Sequence, residues 1–284
     1  MFFNILMAKR FQNAILKGGF VFTLLNLALF SAGSFLLWRQ SLYLRDFYIQ
    51  ETLPWWLRPK VLPTSSQLVL YCLISVLALL VFALLIRISL GGLYHKTQAP
   101  EIFFLMFFAV SLCLENLRVG VILCQAWALP ADLSLLLSRG VYLGRTLAML
   151  SLLAASVYAA GLRYSNLAVM TGLLFLTSLT LAAIVPLNTV MLQVNFVHTL
   201  GDRQGYMFLN SGLGIIIILN FLIARLTGKD ARFLFMAAAA LFLLLGKELL
   251  AFAIAPLVLA AGLLFLVLGS VLFVRNVGIY YLGL

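Results

Sequence analysis

The chain has 284 residues, of which 64% are hydrophobic and 10% are charged, and its formal net charge is +11. Soluble domains have about 25% charged residues, so this composition excludes a protein whose whole surface faces water. Because a membrane-spanning helix needs about 20 apolar residues, the length predicts one multi-pass bundle with no room for a soluble catalytic domain. The basic residues are dispersed along the predicted membrane edges, where they set topology, and we therefore expect no nucleic-acid partner.

The N-terminal segment, residues 1–17, combines basic and large apolar side chains. This pattern is typical of a short amphipathic helix lying on an anionic membrane surface. A cleaved signal peptide is the alternative, because residues 31–33 are small enough to form a cleavage site. The apolar run continues to Trp38, which is long for a signal peptide, so we expect an uncleaved anchor.

The remaining chain, residues 18–284, is predicted to form a single all-α transmembrane domain of about eight spans. The last two spans are the least clearly divided, and the split rests on the adjacent charges of Lys247 and Glu248. Seven spans with a re-entrant segment near residues 247–256 is the alternative. The predicted spans are 18–38, 67–90, 101–126, 134–160, 167–194, 206–226, 231–247 and 255–275.

The loops between the spans predict the orientation. Lys and Arg are more numerous on the side that carries the N-terminus, and an excess of these residues marks the cytoplasmic side. We therefore expect both termini in the cytoplasm and the bundle in a bacterial-type inner membrane. The longest loop, residues 39–66, is rich in aromatic residues and proline, so it is predicted to lie on the outer membrane surface, as a cap or as a plain connector.

Charged residues inside the spans give the strongest functional signal. Glu115, Asn116 and Arg118 lie near the middle of the third span, where each charge costs about 2.5–3.5 kcal/mol on insertion scales. Arg145 lies at a similar depth in the fourth span, and Arg139 lies further out. A stripe of small residues at 140 and 144 is expected to bring the fourth span close to the third.

Further polar residues lie in the outer halves of the later spans, including Asn188, which follows the predicted kink at Pro186. The inner halves are nearly free of polar groups, with Asn220 as the main exception. A transporter or channel needs polar groups on both sides of its centre, so this asymmetry favours a pocket that opens to one side.

Arginine side chains in that pocket favour an anionic ligand, because the guanidinium fork matches carboxylate and phosphate groups. We expect a small anionic molecule or a lipid headgroup, with membrane lipids as general partners. The alternative is structural: the carboxylate bridges two arginines and locks two helices, while Arg139 extends to the interface. The predicted ligand-binding residues are Glu115, Asn116, Arg118, Arg139, Arg145 and Asn188.

Catalytic signals are sparse. No metal or cofactor motif is present, and the two histidines, His95 and His198, fall on opposite sides of the membrane. A Ser-His-Asp arrangement would need His198 with Asp202, and no well-placed serine is evident. We therefore predict a non-enzymatic, receptor-like protein without a cofactor. No output domain is expected after Arg275, so a separate membrane or signalling partner is expected. A transporter or permease component and a lipid-modifying enzyme are the alternatives.

Overall fold

The structure is a computed structural model that describes residues 2–41, 47, 49–50, 63–161, 167–228 and 230–282. Within these residues, eight helical spans are long and apolar enough to cross a membrane, which confirms the predicted all-α bundle of eight spans. The backbone of the predicted N-terminal segment is helical and continuous with the first span, but its side chains before Ala14 lie outside the description. Most of the predicted loop 39–66 also lies outside the described residues.

The elements follow one another as antiparallel crossings. The third crossing consists of two helices, α3 and α4, joined by a 3-10 turn at Cys113–Asn116. The helices are α1 (Phe2–Arg39), α2 (Ser65–Thr97), α3 (Pro100–Leu112), α4 (Leu117–Ala126), α5 (Ala131–Ala159), α6 (Leu167–Ile184), α7 (Arg203–Gly228), α8 (Arg232–Ala251) and α9 (Pro256–Leu282). The short strands are β1 (Ile49–Gln50), β2 (Leu187–Gln193) and β3 (His198–Leu200).

The third and fourth crossings lie at the centre of the bundle and are the most deeply buried of the eight. Glycine allows their close approach: a Cβ atom at Gly144 would lie 2.6 Å from the Leu114 Cβ atom and 2.9 Å from the Ser111 carbonyl oxygen. The predicted small-residue contact between these two crossings is therefore confirmed. It brings α5 against the 3-10 turn that carries Glu115 and Asn116.

The fifth crossing is shorter than the sequence predicts. It ends at Ile184, and Pro186 lies beyond its end and does not kink it. The prediction of a span to residue 194 was wrong because proline disfavours the helical conformation in the residue before it and lacks an N–H donor. The chain then turns back as an antiparallel hairpin of β2 and β3, with β1 parallel to β2.

An even number of crossings places both ends of the bundle's chain on one side of the membrane. We call the side that carries the β2–β3 hairpin the hairpin end, and the opposite side the terminal end. At the terminal end, the Tyr281 hydroxyl of α9 donates to the Glu101 carboxylate of α3. Which of the two ends faces the cytoplasm stays a prediction.

Candidate functional site

A buried ion cluster lies where the third crossing meets α5. The Arg145 guanidinium binds the Glu115 carboxylate with two contacts, Nε to Oε1 at 2.6 Å and Nη2 to Oε2 at 3.1 Å. Arg118 lies one helical turn after Glu115 on the same crossing, and its Nε atom is 2.9 Å from Glu115 Oε2. All three residues are buried: Glu115 is 4% exposed, Arg118 is 1% exposed and Arg145 is 7% exposed. The structure therefore brings together three of the six predicted site residues.

Each guanidinium nitrogen of Arg118 has a partner within the protein. Its Nη1 atom donates to the Ala251 carbonyl oxygen at 3.1 Å, and its Nη2 atom donates to Ser75 Oγ at 3.1 Å. The Ala251 carbonyl lies at the end of α8, where helix carbonyls have no partner within the helix. Arg118 thus ties α2 and α8 to the third crossing.

Arg145 keeps one edge of its guanidinium available. Its Nε and Nη2 atoms bind Glu115, while Nη1 donates to none of the residues that the structure describes. The side chain also lines a cavity of about 210 Å³ between α5, the hairpin, α7 and α8. Two-point binding to Glu115 holds the guanidinium plane of Arg145 in one orientation, and Arg145 is one of the residues that line the cavity.

The cavity is polar on several sides. Glu248 accepts a hydrogen bond from Asn210 Nδ2 at 3.0 Å, and the buried Lys247 Nζ lies 3.0 Å from the same carboxylate. Arg203 is half-buried on the wall and forms no hydrogen bond or ion pair with a described residue. The carboxylate in the lining thus already has a cationic partner, whereas Arg203 has no acidic one. The polar lining residues are Tyr142, Arg145, Gln193, Arg203, Tyr206, Asn210, Ser211 and Glu248.

The other three predicted site residues do not line this cavity. Asn116 faces α1, where its Nδ2 atom donates to the Asn26 carbonyl oxygen at 3.0 Å. Arg139 is exposed on α5. Asn188 is exposed in the hairpin, where its Oδ1 atom accepts a hydrogen bond from the Met191 amide at 3.3 Å.

Sequence reasoning missed the contribution of α7. Arg203, Tyr206 and Asn210 are spaced three and four residues apart, so they lie on one face of that helix and line the cavity together. Arg203 is the first residue of α7, and it lies before the start of the sixth span as predicted, at residue 206. The helical spacing of a charge, a phenol and an amide was the available signal.

A Ser–His pair lies behind the hairpin and was also missed. His198 Nδ1 lies 2.9 Å from the Asn188 carbonyl oxygen, and His198 Nε2 lies 2.8 Å from Ser134 Oγ. Burial lowers the pKa of His198, and the hydrogen bond to the carbonyl partly offsets this. In the neutral ring, Nδ1–H therefore donates to the carbonyl and Nε2 accepts from the hydroxyl.

This arrangement fits a structural role. Ser134 and His198 are 1% and 0% exposed, and neither lines the cavity described above. Ser138 Oγ accepts a hydrogen bond from the His198 amide, and the Tyr142 hydroxyl donates to the His198 carbonyl oxygen. The three side chains of α5 are spaced four residues apart, so they form one polar stripe that holds β3 against the helix.

In comparisons with known proteins, no family model, no curated protein and no solved structure matches the chain. Function therefore has to be inferred from the chemistry of the cavity and of the buried groups around it. Of these, the edge of Arg145 and the side chain of Arg203 are the cationic groups on the cavity wall.

Proposed function

We propose that this multi-pass membrane protein is a non-enzymatic, receptor-like binding protein that holds the anionic group of a small molecule or lipid in the cavity at its hairpin end. The observation that carries the proposal is the pair of guanidinium groups on the wall. Arg145 is held by Glu115 with its Nη1 edge free, and Arg203 has no partner among the described residues. Such groups bind carboxylate or phosphate with paired charge-assisted hydrogen bonds.

The cavity is suited to a small group. Pockets for drug-sized ligands are typically about 300–1,000 Å³. The volume of about 210 Å³ therefore corresponds to a headgroup or a small metabolite. Because Glu115 fixes Arg145 before a ligand arrives, binding orders few side chains, and this preorganisation favours affinity.

Two observations favour binding over transport or catalysis. At the terminal end, Asn220 Nδ2 donates to Ser156 Oγ at 3.1 Å, and the buried α5 residues between this pair and Arg145 are mostly apolar. The transporter hypothesis would need a polar path there. For the enzyme hypothesis, Glu115 is held by two arginines, and the Ser134–His198 pair is closed to substrate.

A receptor-like protein that neither transports nor converts its ligand has to transmit the binding signal to another protein. We therefore include a separate membrane or signalling protein in the proposal, in contact with the bundle. The hairpin and α7 both line the cavity, so they are the elements whose positions a ligand would alter.

Native mass spectrometry of gently purified protein tests the proposal. We expect the wild type to retain an anionic adduct, and we expect Arg203→Gln to lose most of it, because Arg203 lines the cavity and takes no part in the buried ion cluster. The matched control is Arg139→Gln, which removes an exposed arginine from α5 away from the cavity. Equal adducts on the wild type and Arg203→Gln, or no adduct on the wild type, would contradict the proposal.

A further inference from the structure

A second cavity of about 210 Å³ lies towards the terminal end, between α1 and α3. Its walls are apolar, with Ile15 and Phe22 from α1 and Phe107 and Val110 from α3. These four side chains are only partly buried, so the cavity is a groove that opens at the surface of the bundle. One charged residue, Arg87 of α2, lines it. We call this the Arg87 groove.

Arg87 has no anionic partner among the residues that the structure describes. Its one hydrogen bond there runs from Nη1 to the Met106 sulfur at 3.3 Å, and a thioether is a weak acceptor. The side chain is half-buried, so it is partly removed from water without gaining a carboxylate. A guanidinium in such surroundings favours an external anion.

The position of Arg87 along α2 matches the level of lipid headgroups. It lies about 22 residues from Ser65 at the hairpin end, which corresponds to about 33 Å of helix. The hydrocarbon core of a bilayer is about 30 Å thick. On α1, the exposed Lys17 lies about 22 residues from Arg39 at the hairpin end, which is the same separation as that between Arg87 and Ser65. Lys17 is next to the groove residue Gly18, so two cations lie at one level of the bundle.

We propose that the Arg87 groove binds an anionic phospholipid of the leaflet at the terminal end, with the phosphate on Arg87 and an acyl chain along the apolar walls. The occupant follows from the combination of one unpaired guanidinium, apolar walls and headgroup depth. A free small anion would match the guanidinium but not the apolar walls. The site is separate from the cavity at the hairpin end and does not depend on the function proposed for it.

Glycine keeps the groove open on the α1 side. A Cβ atom at Gly18 would meet nothing within 4 Å, whereas one at Gly19 would lie 3.2 Å from Val110 Cγ2. A side chain at position 18 therefore starts from open space on the wall of the groove, and we expect a leucine there to compete with the acyl chain. Gly172 of α6 is a matched control, because a Cβ atom there also meets nothing within 4 Å and the residue lies outside the groove.

The test is native mass spectrometry of delipidated full-length protein titrated with phosphatidylglycerol or phosphatidylcholine. We expect the wild type to bind phosphatidylglycerol roughly fivefold to tenfold more strongly, because both lipids carry a phosphate but only phosphatidylcholine adds a quaternary ammonium, which Arg87 and Lys17 repel. Arg87→Gln should remove this preference, and Gly18→Leu should lower the binding of both lipids. Arg225→Gln, which removes an exposed arginine at the same end, and Gly172→Leu should behave as the wild type.

Equal binding of the two lipids by the wild type would overturn the proposal, as would unchanged binding by Gly18→Leu. A third arm adds inorganic phosphate in excess. Competition by phosphate at the concentration of the lipid would assign the site to a free anion and so overturn the lipid assignment. If Arg87→Gln fails to fold, Gly18→Leu against Gly172→Leu decides the outcome, because a Cβ atom at either position meets nothing within 4 Å.

Discussion

At the residue scale, Arg118 and Arg145 show how neighbouring side chains of one type acquire different roles. Both bind Glu115. The Nη1 and Nη2 atoms of Arg118 also donate to Ala251 and Ser75, whereas Arg145 lines the cavity and its Nη1 atom donates to no described residue. The first holds helices together and the second is available to a ligand. The structural and the ligand-binding hypotheses for the cluster are therefore compatible, because each applies to a different arginine.

Glu115→Gln tests the structural part of this division. The change leaves two buried guanidinium groups without their carboxylate, and breaking a buried pair typically costs about 3–5 kcal/mol. We expect a marked fall in the thermal unfolding midpoint in detergent. Glu101→Gln is the control, since Glu101 is as deeply buried but accepts a side-chain hydrogen bond from Tyr281 and forms no ion pair with a described residue. Similar losses for both variants would mean that the arginines contribute little.

At the element scale, the β2–β3 hairpin forms part of the cavity wall. It supplies Gln193 and Leu200 to the lining, and the polar stripe of α5 holds it through His198. Burial lowers the pKa of His198, so protonation of its ring is unfavourable in the folded protein and works against this attachment. The hairpin therefore makes the cavity wall sensitive to acid.

The pH dependence of stability tests this attachment. The unfolded-state pKa of histidine is about 6.5, and burial lowers the pKa of His198 in the folded protein. The unfolded chain thus binds the proton more tightly, so the stabilising contribution is present above about pH 6.5 and is lost as the pH falls through the lowered pKa. We expect the unfolding midpoint to drop between pH 7.5 and 5.5, and the drop to shrink in His198→Gln. His95→Gln, at the exposed terminal end of α2, should retain the wild-type pH dependence.

The same elements show why part of the site could be predicted. Apolar length gives the eight crossings, and the glycines at 140 and 144 indicate the close approach that pairs Glu115 with Arg145. The hairpin was not predicted because the apolar pattern of a short segment such as β2 is compatible with either a helix or a strand. Only Pro186 indicated that the helix ends before it. The rotation of α5 was equally hidden, so the pattern could not show that Arg139 points away while Arg145 points in.

At the scale of the whole molecule, the two cavities lie at opposite ends of the bundle. One is lined partly by the hairpin and includes charged and polar residues, and the other has apolar walls with Arg87 as the one charged residue among the described residues that line it. The eight crossings confirm a multi-pass membrane protein, and its orientation decides which compartment each cavity serves. Our prediction places the hairpin outside and the terminal end in the cytoplasm.

Single cysteines labelled in intact cells with a membrane-impermeant maleimide measure the orientation. We expect Gln204→Cys, exposed at the hairpin end, to react, and Lys96→Cys, exposed at the terminal end, to react only after the membrane is permeabilised. The native cysteines at 72, 113 and 124 are free but buried, so they should contribute little background. The opposite labelling pattern would reverse the topology and move the polar cavity to the cytoplasmic side.

The links made by Arg118 also bear on biogenesis. Its partners are far apart along the chain, since the carbonyl of Ala251 follows it by 133 residues, while Glu115 is three residues away. A nascent chain enters the membrane from its N-terminus, so the third crossing is inserted before α5 and α8 have been synthesised. During that interval the Glu115–Arg118 pair balances the charge within the segment itself, which eases its transfer into lipid. The pair that later anchors the assembled bundle thus first serves as an aid to insertion.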